Sequence, residues 1–246
     1  GGAIEACGPN SKITDCNFTS CSAMLYGGSI AGLSAQNAKV SNLIIKYSII
    51  HGSRDINGDD HGEGGAIYWE NVSGLVISNI EFFKNEARLQ GGSISLNNCS
   101  DSTLYNLTFE KDFTEDYGGS IAWYNSTNAT IDSVTFNDCI ANVEGGAIYL
   151  KDIDAVIKNS HFNDTRTVLG AGGAMYIDGN VTILDSTFAN AKSFNSLGTE
   201  ILFENGVSSV SNSNFTESVN PIWIKENANV TLTKNNIKDS AAGTYS

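Results

Sequence analysis

The sequence predicts an all-β solenoid, and three observations carry that reading. Paired glycines recur along the 246 residues at 1–2, 27–28, 64–65, 91–92, 118–119, 145–146 and 172–173, in steps of 26, 37, 27, 27, 27 and 27. Apolar residues recur in register with the pairs and alternate one on, one off, as in a strand with one buried face. Helical periodicity is absent, and Gly, Asn, Ser and Thr are abundant where a helical repeat would carry Ala, Leu, Glu and Lys. A repeat of this length with several short strands describes one turn of a right-handed parallel β-helix. The chain reads as a single such domain over 1–246, of about nine coils.

Each coil has the same grammar. The glycine pair is followed by a small residue and then by an apolar column: Ile4, Ile30, Ile67, Ile94, Ile121, Ile148, Met175, Ile201 and Ile222. Two residues on stand Trp69, Leu96, Trp123, Leu150, Ile177, Phe203 and Ile224, which places both columns on the buried face of one strand. A further column reads Ile13, Val40, Ile77, Leu104, Ile131, Ile157, Ile183, Val210 and Leu232. Five residues later come Phe18, Ile45, Phe82, Phe109, Phe136, Phe162, Phe188, Phe215 and Ile237. The glycine pair is the corner between strands, where positive φ is needed and backbones stack without Cβ atoms. Degenerate coils begin at Gly198 and Asn220. One coil is longer and carries an inserted loop over 51–63, "HGSRDINGDDHGE".

Composition narrows the function. Lys plus Arg number 14 against 27 Asp plus Glu, a net charge of −13, which argues against nucleic acid and anionic membranes as partners. No stretch approaches the ~18 apolar residues of a helical membrane span, so no membrane insertion is expected within these residues. The sequence shows neither an initiator Met nor a secretory leader, as in a mature piece or a fragment. The five cysteines, Cys7, Cys16, Cys21, Cys99 and Cys139, lack metal-ligand spacing. Three of them crowd the first 21 residues, which suggests a local disulfide such as Cys7 to Cys16 or Cys21, against the alternative of free thiols.

"GGAI" at 1–4, 64–67 and 145–148, "GGSI" at 27–30, 91–94 and 118–121, and Phe-x-x-Asn at Phe82 to Asn85 resemble the repeat of the chlamydial polymorphic outer-membrane proteins. The resemblance spans nearly the whole chain and implies a β-helical surface adhesin passenger. The position of the motif's Asn is held here by Cys21, Asn85, Asp112, Cys139, Thr165, Ala191 and Ser218.

Three groups of residues are candidate sites. Asn-x-Ser/Thr triplets occur at Asn17, Asn71, Asn98, Asn106, Asn125, Asn128, Asn163, Asn180, Asn214 and Asn229. With 28 Asn and 45 Ser plus Thr in the chain, chance gives about five such triplets against the ten present, which suggests a secreted glycoprotein. In the inserted loop, Asp55, Asn57 and Asp59 offer oxygens at alternate positions, as at the start of a calcium-binding loop, and Glu63 is a later ligand. Asp60 stands where such a loop has Gly, and Ala66 where it has Glu. The same loop serves the enzyme alternative, a pectate-lyase-like polysaccharide lyase or hydrolase, with Asp55, Asp59, Asp60 and Glu63 as paired carboxylates and Arg54 as the base. The outward column Tyr68, Ser95, Ala122, Tyr149, Tyr176 and Trp223 carries no carboxylate cluster; its rings either stack on sugars or cover the face. His161 reads as an outward strand residue. The reading is an extracellular structural or adhesive β-helix, not an enzyme, with glycans as partners. No cofactor beyond the candidate calcium is expected. The chain ends where the next glycine pair is due, which suggests head-to-tail self-association into a filament.

Overall fold

The computed structural model describes residues 1–54, 60–194 and 198–238. It is a parallel right-handed β-solenoid. Each coil steps onto the next in register: Ile4 pairs with Ile30, Ile30 with Ile67, Ile67 with Ile94, and so on through Ile201 to Ile222. Nine rungs, joined by eight such steps, agree with the repeat count. Two sides of the coil merge into one 19-stranded sheet, because strands such as Ile121–Asp132 and Ile148–Lys158 run through the corner between them. A narrow six-stranded sheet of two-residue strands, such as Phe113–Thr114, forms the third side.

The interior is built of like residues on like. Phe82, Phe109, Phe136, Phe162, Phe188 and Phe215 form a continuous ring stack with centroids 4.7–5.0 Å apart and planes within 12° of parallel. The strand spacing of ~4.8 Å imposes that distance. Trp69 and Trp123 are fully buried and alternate with Leu96 and Leu150. Gly32 makes room for Trp69, since a Cβ there would lie 2.0 Å from the indole.

The glycine pair has two separate jobs. Gly118 is left-handed, at φ +68°. Gly119 is not, but a Cβ on it would meet the Gly146 carbonyl oxygen of the next coil at 2.0 Å. The first glycine therefore turns the chain, and the second lets one corner sit on the next.

The Phe-x-x-Asn position also has a structural role. Asn85 is buried; its Oδ1 accepts the Ser48 N–H at 2.9 Å, and its Nδ2 donates to the Ile45 carbonyl at 3.2 Å and Ser93 Oγ at 3.0 Å. It satisfies corner groups that the ladder leaves over.

All five cysteines are thiols. The suggested Cys7–Cys16 bridge is not formed: Cys16 Sγ donates to the Thr14 carbonyl at 3.1 Å, while Cys7 lies toward Glu5. Cys99 and Cys139 are core residues whose thiols burial pushes up to about 12.

Candidate functional site

The sheet side that follows each glycine pair has an outer face as regular as its inner one. Its centre is the column Tyr68, Ser95, Ala122, Tyr149, Tyr176, Leu202 and Trp223. On one flank, just before the glycine pairs, Tyr26, Glu63, Gln90, Tyr117 and Glu144 bridge from coil to coil. On the other flank stand Glu70, Asn97, Tyr124, Lys151 and Asp178. Ala122, Tyr149, Ala171, Tyr176 and Leu202 form a hydrophobic cluster separate from the solenoid core, with Tyr117, Tyr124 and Trp223 packed on it.

The rings stack along the axis. Tyr117 and Tyr149 are 4.8 Å apart, Tyr149 and Tyr176 4.7 Å, and Tyr26 and Tyr68 4.4 Å. Ser95 and Ala122 interrupt the series. Tyr124 leans one coil back into that interruption, where its hydroxyl meets Ser95 Oγ at 3.2 Å. Beside it opens a recess of about 380 Å³, lined by Gln90, Tyr117, Tyr124, Tyr149, Lys151 and Asp152 among others. Small-ligand pockets fall in the range of ~300–1,000 Å³. Tyr124 is half-buried against the outer cluster and stacks on no other ring among the described residues. Gln90 Oε1 is buried and has no protein partner. Burial raises the phenols of Tyr68, Tyr124, Tyr149 and Tyr176, which therefore act as neutral hydrogen-bonding groups.

A wider depression of about 530 Å³ lies on another side, around Asp15, Asn42, Asn79 and Asn106. Its amides are committed to one another: Asn42 Nδ2 donates to Asp15, Asn79 to Asn42 and Asn106 to Asn79, at 2.9–3.1 Å. That leaves fewer groups to hold a ligand.

The residues singled out from sequence fall in four places. Asp55, Asn57 and Asp59 lie outside the described residues. Glu63 belongs to the coil: its Oε2 accepts the Gly62 N–H at 2.8 Å and its Oε1 is 3.8 Å from His61 Nδ1. Burial raises its carboxyl, against the opposite pull of the Gly62 N–H and His61. Asp60 is exposed and pairs with Arg54 through the backbone of a short antiparallel hairpin, Ser53–Arg54 with Asp60–His61. Among the described residues no group of three His, Cys, Asp or Glu side chains is arranged to hold a metal. His61 Nδ1 meets the Tyr26 hydroxyl at 2.8 Å. His161 is exposed, as expected, with Nδ1 2.7 Å from Thr187 Oγ1 of the next coil.

The triplet asparagines divide into two groups. Asn71, Asn98, Asn106, Asn125 and Asn128 are left-handed turn residues, at φ 51–57°. Asn98, Asn106, Asn125 and Asn128 donate Nδ2 to the coil before, at 2.7–3.0 Å, and Asn180 does the same to Asp154 at 2.8 Å. Asn tolerates the left-handed region better than other non-glycine residues, and Ser or Thr suits the strand that follows, so the turns themselves generate triplets. Asn163 bonds its neighbour Asp164. Asn17, Asn71, Asn214 and Asn229 are exposed, and their Nδ2 atoms have no protein acceptor among the described residues.

Sequence reading found Tyr149 and Tyr176 but missed Gln90, Tyr117, Tyr124, Lys151 and Asp152. The signal was present. Counting one residue before each glycine pair, and five after its second glycine, gives both flanks.

The sequence profile described as "Right handed beta helix region" matches residues 119–246, just over half of the chain, and the chain belongs to that family. No curated protein sequence matches. Among solved structures, the surface protein and adhesin PfbA of Streptococcus pneumoniae is 11% identical, with a TM-score of 0.37 over 100% of this chain and 91% of that one. The A-module of mannuronan C-5 epimerase AlgE4 from Azotobacter vinelandii is 10% identical, with a TM-score of 0.36 over 99% and 90%. The Agl-KA catalytic domain is 12% identical, with a TM-score of 0.29 over 91% and 55%. Likeness at this level carries no argument about ligand or activity.

Proposed function

We propose that the chain is an extracellular binding β-helix that recognises a glycan through its aromatic outer face. The recess beside Tyr124 carries this reading. It combines the rings and phenolic hydroxyls of Tyr117, Tyr124 and Tyr149 with a volume in the range of small-ligand pockets. Sugars offer apolar C–H faces to rings and hydroxyls to polar groups, and both are provided within one recess. The ring series also supports it, because a polymer lying along the axis would meet Tyr117, Tyr149 and Tyr176 on successive coils. Adhesion follows if the glycan belongs to a surface or matrix.

The test is a glycan array probed with the folded chain, followed by titration of any hit against Tyr124→Ser. Binding that falls at least tenfold in the variant, with unchanged melting, supports the reading. A chain that binds no glycan, or a variant that binds as well as the parent, overturns it.

A further inference from the structure

We infer that the turn around Phe83 is a second binding site, for sugars that carry an acidic group, a carboxylate or a sulfate ester. It lies at the corner that follows the phenylalanine column and shares no residue with the recess beside Tyr124. The chain holds only 14 Lys and Arg, yet three of them meet at one ring. The Nζ atoms of Lys46, Lys84 and Lys111 stand 5.8, 5.2 and 5.9 Å from the Phe83 centroid. Lys111 Nζ is also 3.2 Å from Glu110 Oε1. Lys46 and Lys84 form no ion pair among the described residues, and nor do the nearest other carboxylates along the chain, Glu81, Glu86 and Asp138. Glu81 faces the depression around Asn79 instead. The attraction of a ring for an exposed ammonium is weak, and one ring has two faces for three like charges. An anion set among them replaces their mutual repulsion with charge-assisted hydrogen bonds.

The backbone gives a second, independent sign. The position two residues after the phenylalanine column is left-handed in coil after coil, and Asp138, Asp164 and Asn190 fill it in three of them. Asn and Asp suit that conformation. Tyr47, Lys84 and Lys111 hold the same place on three successive coils, at φ +56°, +52° and +59°. Larger side chains are disfavoured there, and such strain gathers where a ligand is clamped. Tyr47 is 45% exposed, with its ring 5.5 Å from Phe83 at an interplanar angle of 88°. It offers an aromatic surface beside the ammonium groups. A pyranose bearing one acid group matches both, with its C–H face on the ring and its anion among the lysines. The chain's net charge of −13 disfavours densely charged polyanions such as nucleic acid, and favours a ligand whose acid groups are sparse.

The experiment is calorimetric titration of the folded chain with tetragalacturonate, a sulfated galactose tetramer and the neutral N-acetylglucosamine tetramer, at low salt and at ~0.3 M salt. Single-stranded DNA and phosphatidylserine vesicles serve as other anions. At least one acidic tetramer is expected to bind more tightly than the neutral one and to weaken with salt; the tighter of the two identifies the acid. A Lys84→Asn, Lys111→Asn double variant should lower that affinity about fivefold or more. Its melting temperature should hold or rise, because Asn suits the left-handed turn, so misfolding does not account for the loss. Lys46→Gln, at an ordinary strand position, should lower the affinity as well. Lys234→Asn makes the same exchange at φ +56° on the last coil and should leave it unchanged. Failure of both acidic tetramers to bind, equal binding of the neutral one, or equal losses in the Lys234 and Lys84/Lys111 variants overturns the site. DNA or vesicles bound as tightly through the same lysines overturns its selectivity for sugars. None of these outcomes touches the Tyr124 recess, which Tyr124→Ser tests separately.

Discussion

Ser93 Oγ donates to Asp112 Oδ2 at 2.6 Å in the closed interior of the solenoid. The Asp112 carboxyl is fully buried, accepts the Asn85 N–H at 2.9 Å through its other oxygen, and has a pKa raised to about 7 by burial. Asn85 holds the equivalent place one coil earlier as a neutral amide.

This predicts a pH dependence of stability. The folded-state pKa lies above that of the unfolded chain, so between pH ~4 and ~7 the native state keeps a proton that the unfolded state has lost. Stability therefore falls as pH rises through that window, by ~4 kcal/mol at most, and levels off above it. Glu200, also buried and raised to about 7, acts in the same direction. Asp112→Asn should stabilise the chain at pH 8 and flatten the profile, because an amide there repeats the arrangement of Asn85. Urea melts at pH 5 and pH 8 test it. An Asp112→Asn chain with the parent's slope would exclude Asp112 as the source.

The stacked columns predict the cost of core changes. Ile121 is fully buried between Ile94 and Ile148, and Ile121→Asp places an unpaired charge there. The expected loss is about 3–5 kcal/mol. Phe136→Ala opens a gap between Phe109 and Phe162 and should cost about 3–5 kcal/mol. Chemical denaturation of both variants checks the register; a neutral result for either would contradict it.

The glycine pair gives a sharp contrast. Gly119→Ala sets a methyl against the Gly146 carbonyl oxygen at 2.0 Å, whereas the nearest atom to a methyl at Gly8 is Ser11 Oγ at 3.6 Å. Gly119→Ala should lower the melting temperature markedly or abolish folding. Gly8→Ala should leave it unchanged or raise it slightly.

The asparagine ladders make a fourth prediction. Asn98→Ala loses the bond to Asn71 Oδ1 and places Ala at φ +52°, for a combined cost of about 1–2 kcal/mol. Asn229 is exposed and outside the ladders, so Asn229→Ala should be neutral. The same division governs glycans. Mass spectrometry of the chain secreted from a eukaryotic host should find glycans at Asn17, Asn71, Asn214 and Asn229 in preference to Asn98, Asn106, Asn125 and Asn128. Glycans concentrated on the ladder asparagines would contradict the assignment.

The period, the buried columns and the corner glycines were legible in the sequence. In a solenoid each residue stacks on its own equivalent, so the spacing that places Phe109 on Phe136 is written in the chain as a step of 27 residues. The aromatic outer column was legible for the same reason. Only the tertiary structure decided what those residues do. That Tyr124 reaches back to Ser95, that Gln90 Oε1 is left without a partner, and that the amides of Asn98, Asn106 and Asn128 are already engaged are facts about side-chain direction. Repetition sets which residues lie one above another. The rotamer each one takes depends on the sizes of its neighbours in the flanking columns, which the repeat leaves free to vary.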